Sequence, residues 1–218
     1  KKLVYKSING QNQVYITKEK YIVDGDFSAA AAFLMLGALT GKVTVSNLMP
    51  DMQGDKVIIE ILKQAGACVK TGENSISAEK LELKPVKYDF TDCPDLVPVV
   101  VAFCVFAKGL SELSGVSRLK FKECDRLKAS IEMCKAVVIK TECDGDTLKI
   151  YGGEPKTEEG KKVVFKTYND HRIVMAAALI AAGLNGESVI ENAKAVNKSC
   201  PEFWEQFKAL GGNFNVIL

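Results

Sequence analysis

The sequence predicts a mixed α/β (α+β) protein, with apolar helices inside and sheets outside, built from one unit used three times. Three observations carry this prediction. Helices that are apolar nearly all round begin at Asp26, Asp95 and Asp170, spaced 69 and 75 residues apart. Each is followed by a short strand and then by an amphipathic helix with a polar or charged entrance. The intervening strands are mixed in character, as befits sheets with one face in water. A fixed long period marks one supersecondary unit reused, and such units bury their faces only by sharing a core.

Taken in order, residues 1–24 read as strands around a turn at Asn9 and Gly10, with β-rich runs at Val14–Ile16 and Tyr21–Val23. Asp26 or Ser28 can cap the first helix, which is rich in alanine and carries Phe33, Leu34, Met35 and Leu36. Val43 and Val45 mark a strand. Gln53, Gly54 and Asp55 open a helix over 57–64 that Gly66 closes, and strands follow at 68–70 and 75–78. In the second unit Pro94 and Asp95 open an apolar helix through Ala107, and a strand follows around Ser111–Leu113. Lys122–Arg126 then forms the first turn of a helix whose apolar face is Leu127, Ile131, Met133, Ala136 and Val137, with strands at 137–140 and 148–151. In the third unit Asn169–Arg172 opens a helix through Ala182, Val189 and Ile190 make a strand, and Lys198–Pro201 opens a last helix over 203–210. The final strand pair is only 214–218. The repeats therefore run over about 25–90, 91–160 and 161–218.

Composition excludes several classes. Hydrophobic residues are 47%, charged residues 26% and the net charge +2, so no broad basic surface points to nucleic acid. The longest apolar run, Leu96 to Ala107, holds Pro98 and is too short to span a membrane. Seven cysteines without a C-x-x-C pair, and a single histidine, argue against a disulfide framework or a metal centre and for reduced thiols in the cytoplasm. The opening residues lack the apolar core of a signal peptide and begin as if in mid-strand.

Chemistry concentrates at the helix entrances. Lys122, Glu123, Asp125 and Arg126 place two cations and two carboxylates within five residues. A helix N-terminus favours anions, because its free N–H groups point outward at the positive end of the dipole. The plain alternative for each residue is structural: Asp26, Asp55 and Asp95 as caps, Glu123 as a carboxylate complementing the dipole, Arg126 and Arg172 in surface ion pairs.

Six motifs, Asp24-Gly-Asp-Phe-Ser28, Met52-Gln-Gly-Asp55, Pro94-Asp-Leu-Val-Pro98, Lys122-Glu-Cys-Asp-Arg126, Asn169-Asp-His-Arg172 and Lys198-Ser-Cys-Pro-Glu-Phe203, occur in order across nearly the whole chain. In these the chain resembles the C-terminal half of the 5-enolpyruvylshikimate-3-phosphate synthase family. The resemblance implies a lobe of three βαβαββ units with buried helices. It also implies transfer of the enolpyruvyl group of phosphoenolpyruvate to the 5-hydroxyl of shikimate 3-phosphate, releasing phosphate, without metal or organic cofactor. Residues 1–24 would belong to the other lobe and 25–218 to this one. Asp95 and Glu123 would handle the proton transfers. Arg126, Arg172 and Lys198 would hold phosphoenolpyruvate, and Lys122 would reach the shikimate moiety. Asp55, His171 and Tyr15 are weaker candidates. Family members carry six units against three here, so the missing N-terminal lobe is an implied partner. The family's glycine at the end of the middle amphipathic helix is replaced around Lys135 and Ala136, which predicts an irregular helix end. The competing readings are a catalytically inactive fragment or binding module, a structural α/β repeat protein, and UDP-N-acetylglucosamine enolpyruvyl transferase, whose motifs differ from those at Lys122–Arg126 and Asn169–Arg172.

Overall fold

Three helices meet at the centre. The computed structural model describes residues 2–6, 12–16, 23–49, 53–157 and 161–215, the first two stretches as backbone only. Helix α1 (Phe27–Thr40) buries 11 of its 14 residues, α3 (Val97–Cys104) buries all eight, and α5 (His171–Gly183) buries nine of 13, which leaves none of them a solvent face. All three pack against one another. Runs of alanine, Ala29–Ala32 in α1 and Ala176–Ala178 in α5, permit that close approach.

The amphipathic helices lie outside this trio. Helix α2 (Ile58–Gln64) turns Ile58, Ile61 and Leu62 inward. Helix α4 (Arg126–Ala136) buries Leu127, Met133 and Cys134, with Ile131 and Ala136 half-buried. Helix α6 (Phe203–Ala209) buries Phe203 and Phe207, one turn apart, and Phe203 meets Phe33 of α1 at 5.2 Å between ring centres.

The strands cover the helices. β3 (Lys42–Ser46), β4 (Cys68–Thr71) and β5 (Ser75–Glu79) form an antiparallel sheet in the order β3-β5-β4. β6 (Lys87–Asp89), β7 (Gly109–Ser114), β8 (Lys140–Asp144) and β9 (Thr147–Gly152) form a second, in the order β6-β7-β9-β8, with β6 and β7 parallel. β10 (Val163–Phe165) pairs in parallel with β11 (Ser188–Ile190). Ile76, Ala78, Leu148 and Ile150 point inward while Ser77, Glu79, Lys149 and Tyr151 point out, the period-two alternation of half-buried sheets. The middle unit shows the βαβαββ order in full. Among the described residues the first unit lacks a leading strand and the third lacks the closing pair. β1 (Lys2–Lys6) and β2 (Asn12–Ile16) form their own antiparallel pair. No helix among the described residues is long and apolar enough to cross a membrane.

Several expected boundaries move. The apolar helix of the second unit stops at Cys104, not Ala107. Gly152 packs so closely under its end that an added Cβ would clash with the Cys104 carbonyl, and Gly153 N–H donates to the Val105 carbonyl at 3.0 Å. Lys122–Asp125 is not a first helical turn: a 3₁₀ turn over Ser117–Phe121 precedes it, Asp125 is the cap, and Arg126 is the first helical residue. β8 starts at Lys140, because 137–139 close α4. Val23 and Phe214 lie outside any strand, and residues 9, 10, 21, 22 and 216–218 of the expected turn and strands fall outside the described residues.

The end of α4 is regular, contrary to expectation. Helices α2, α4 and α6 all close with the same pair of bonds: Gly66 to Lys63 and Ala67 to Leu62, Val138 to Lys135 and Ile139 to Cys134, Gly211 to Lys208 and Gly212 to Phe207. The left-handed residue is Gly66 (φ 87°), Gly211 (φ 96°) and, in the middle unit, Val138 (φ 61°). A β-branched residue is strained there, by roughly 1–2 kcal/mol. Val138 is exposed and gains little from burial. Val138→Gly should therefore raise stability by about 1 kcal/mol in denaturant unfolding, even though glycine loosens the unfolded chain.

Candidate active site

The starts of α1, α3, α4 and α5 converge at one end of the helical core, and each carries a charged residue there. Asp26 caps α1, accepting from Ser28 N–H at 3.0 Å and Ala29 N–H at 3.2 Å. Asp95 lies in the 3₁₀ turn Pro94–Leu96 that leads into α3. Asp170 caps α5, accepting from Arg172 N–H at 2.8 Å. These are the three aspartates whose spacing revealed the repeat.

Arg126 joins them. Its side chain is 1% exposed, and each guanidinium nitrogen meets a different carboxylate. Nε donates to Asp170 Oδ2 at 2.8 Å, Nη1 to Asp95 Oδ1 at 2.8 Å and Nη2 to Glu123 Oε2 at 2.6 Å. Around this hub lie the other cations. Lys122 Nζ is 3.0 Å from Asp95 Oδ1, Arg172 Nη2 is 3.6 Å from Asp95 Oδ2, and Lys198 Nζ donates to Glu123 Oε1 at 3.4 Å. Six residues singled out in the sequence, Asp95, Lys122, Glu123, Arg126, Arg172 and Lys198, thus form one connected cluster drawn from the second and third units. Arg126 is not the surface ion pair of the plain reading. Lys122, Asp95, Glu123 and Lys198 keep partial or full exposure.

The weaker candidates separate. Asp55 bonds to Ser28 Oγ, and Gln53 ties the same segment to the start of α1, accepting from Phe27 N–H at 2.9 Å and donating to the Gly25 carbonyl at 3.0 Å. Asp55 touches the cluster only through the field of Arg172 and Asp95. His171 is buried beside Asp170, and its Nδ1 has no hydrogen-bond partner among the described residues. Tyr15 lies in β2 opposite Leu3, and its side chain is outside the described residues.

Two participants were missed as site residues. Asp170 is fully buried, and Oδ2 accepts from Cys124 Sγ at 3.6 Å as well as from Arg126. Its place at the third recurrence of a helix-opening aspartate was the available signal. Cys124 sits inside the charged pentapeptide, where nothing but its position marked it.

The environment divides the carboxylates. Burial alone would raise Asp95, but the Lys122 hydrogen bond and the charges of Arg172, Lys122 and Arg126 outweigh it and hold it below the usual range. Glu123 is likewise lowered: burial opposes, and a backbone hydrogen bond, Arg126 and Lys198 prevail. Burial pushes Asp55 up. For Arg126, burial is overcome by Asp170, Glu123 and Asp95, so its pKa rises. Burial and the Arg172 charge push His171 down, leaving a neutral imidazole at pH 7. Burial and the Asp170 charge push the Cys124 thiol up to about 12, so it is no nucleophile.

Chemically, the arrangement offers two ionised carboxylates among four cations at converging helix starts, a setting for an anion bearing a carboxylate or phosphate and for proton transfer beside it. Two hollows along the outer face of α4, one lined by Met133, Lys135 and Val164 and the other by Lys120, Leu127 and Ile131, include no cluster residue.

Comparison with known proteins fits this architecture to about half of the chain of solved enolpyruvyl transferase structures. The EPSP synthase of Acinetobacter baumannii superposes with a TM-score of 0.74 at 24% identity, over 94% of this chain and 51% of that one. The enolpyruvyl transferase NikO from Streptomyces tendae superposes at 0.70 with 18% identity, over 88% of this chain and 44% of that one. At such identities the likeness concerns the fold. The family model for EPSP synthase (3-phosphoshikimate 1-carboxyvinyltransferase) matches residues 4–207, and the chain belongs to that family. Relatives named 3-phosphoshikimate 1-carboxyvinyltransferase include one from Pyrococcus furiosus, 42% identical over 85% of this chain, and one from Clostridium novyi, 39% identical over 90%. The chain spans about half the length of the curated relatives it matches, 45% and 44% for these two.

Asp95 and Glu123 make stability depend on pH. Their unfolded values are 3.8 and 4.5 and their folded values are lower. Their contribution is therefore complete above the unfolded values and is lost as pH falls through the folded ones. Asp55, raised on folding, works in the opposite sense. Urea midpoints should fall steadily below about pH 4.5, and the fall should be shallower in Asp95→Asn/Glu123→Gln than in the wild type.

Proposed function

We propose that this chain supplies the C-terminal part of the active site of a 3-phosphoshikimate 1-carboxyvinyltransferase. Such an enzyme joins the enolpyruvyl group of phosphoenolpyruvate to the 5-hydroxyl of shikimate 3-phosphate and releases phosphate. The observation that carries the reading is the single cluster at the helix starts, which unites Asp95, Lys122, Glu123, Arg126, Arg172 and Lys198 in a chain of this family.

The shikimate hydroxyl gives up its proton as its oxygen bonds to C2 of phosphoenolpyruvate, and the methylene carbon takes a proton. The tetrahedral ketal phosphate then loses a methyl proton and expels phosphate. Asp95 and Glu123 share these transfers. Asp95 is ionised and set to accept. Glu123 must first take up a proton, and loosening of its bonds to Arg126 and Lys198 would favour that. Arg172 and Lys198 meet the phosphoenolpyruvate anion, with Lys122 toward the shikimate moiety. Arg126 joins them where the anion replaces a carboxylate on its fork, whose three nitrogens are now engaged. Residues 1–24 belong to the other lobe and 25–218 to this one. The second lobe supplies the remaining ligand contacts and excludes water. Without it the chain binds either substrate weakly and does not turn over, which is the content of the inactive-fragment reading.

The test is phosphate release from the two substrates by this chain alone and with the N-terminal half of the Clostridium novyi relative. Release only from the pair supports the proposal, and silence in both removes it. In the active pair, Asp95→Asn and Glu123→Gln should each lower kcat by roughly 10²- to 10⁴-fold, while Lys198→Ala should act mainly on KM.

A further inference from the structure

The chain enters α5 through a turn to which one of its residues is poorly suited. Tyr168 (φ 53°) and Asn169 (φ 57°) are both left-handed, and Asp170 N–H donates across them to the Thr167 carbonyl at 2.9 Å. Positive φ at both central residues is the geometry of a type I′ turn, in which glycine, asparagine and aspartate are at home. Asn169 fits. Tyr168 does not, because in this region its Cβ crowds the following carbonyl. Burial does not compensate, since Tyr168 is 43% exposed. What tyrosine has that asparagine and glycine lack is reach: its hydroxyl donates to the Glu132 carboxylate of α4.

The turn stands between two fixed ends. Upstream, β10 pairs with β11, Glu191 N–H donates to the Phe165 carbonyl at 3.0 Å, and the buried Thr167 donates from Oγ1 to the Glu191 carbonyl at 2.8 Å. Downstream, Asp170 is fully buried, with Oδ2 on Arg126 Nε and Oδ1 on Arg172 N–H, both at 2.8 Å. Helix α4 and the entrance of α5 are therefore tied twice, Arg126 to Asp170 in the interior and Glu132 to Tyr168 at the surface. Glu132 lies six residues beyond Arg126, about 9 Å along the helix axis. One contact is a pivot, whereas two separated contacts fix a direction. Strained residues persist where their surroundings over-determine them, and they gather where geometry serves function.

We propose that Tyr168 is a positioning residue: through its bond to Glu132 it holds the turn that presents Asp170, and so sets the directions of the Arg126 and Arg172 forks at the anion site. It acts through Asp170, not by touching substrate. The inference rests on the proposed function in taking phosphoenolpyruvate as the anion those forks meet. A small rotation of the turn tilts Asp170, which carries Arg126 on one oxygen and the Arg172 backbone on the other. Bidentate recognition of carboxylate or phosphate is sensitive to such tilts.

Two readouts test this. One is KM and kcat for phosphate release by the chain paired with the N-terminal half of the Clostridium novyi relative. The other is exchange of the Arg126 Nε–H with heavy water, followed by nitrogen-15 NMR on the chain alone. Tyr168→Phe should raise KM for phosphoenolpyruvate roughly 5- to 20-fold, change kcat by less than about threefold, and speed the exchange at least about tenfold. Tyr168→Asn suits the backbone but lacks the reach. It should show the same KM as Tyr168→Phe at a urea midpoint no lower. Glu132→Gln keeps an acceptor and should leave KM within about twofold. Glu132→Ala should match Tyr168→Phe, and combining the two should add nothing further. With a wild-type pair that turns over, unchanged exchange in Tyr168→Phe, or faster exchange with unchanged KM, overturns the proposal and leaves the function standing. So does a KM that merely follows the urea midpoints across the variants. Silence of the wild-type pair removes the proposed function, and the exchange rate alone then decides whether Tyr168 holds Arg126.

Discussion

The structure depends on one buried guanidinium. Arg126 is the largest fully buried side chain, and it is charged. Taking such a group out of water costs several kcal/mol, and only good geometry with full hydrogen bonding offsets it. Three carboxylates supply that, each at 2.6–2.8 Å. Asp95 and Glu123 come from the second unit and Asp170 from the third, so the same contact that neutralises the charge also docks one unit on the next. For the three to reach one fork, α3, α4 and α5 must start at the same end. The all-round apolar character of α3 and α5 holds them there.

Four cations face three carboxylates in the cluster, a small positive excess, and the helix starts add to its preference for anions. Helix starts point their free N–H groups toward this end, and Lys122 and Lys198 keep exposure beyond their partners. Among the described residues, Arg172 contributes a fork held by one long contact at 3.6 Å. The cations are thus graded, from Arg126, committed to structure, to Lys198, committed least. Whatever anion enters competes first with the exposed pairs, which are the weak ones.

Much of this was legible in the sequence. Helices that lack a polar face can only be central, and their recurrence at Asp26, Asp95 and Asp170 carried the threefold plan. The same aspartates announced that the charged residues would share one end. What could not be read was the depth of each residue. Arg126 and Lys198 look alike in sequence, but one is fully buried and the other mostly exposed, and that depends on contacts between units. Asp170 marked only a helix start, and it is both the cap of α5 and the buried counter-ion of Arg126. Gly152, almost fifty residues away, packs under the end of α3, and the left-handed position after α4 fell on Val138, a residue that no turn signal marks. Local signals located elements well and ranked site residues poorly, since the ranking is a tertiary property.

The most direct test of this account is a double-mutant cycle between Arg126→Met and Asp170→Leu, read by urea unfolding. Each single change should be strongly destabilising, because it strands a buried charge, and the double change should recover much of the loss, with a coupling energy above about 2 kcal/mol. Additive effects, with coupling under about 0.5 kcal/mol, would contradict it: Arg126 would then be a passive occupant of the helix junction and not the contact that joins the units.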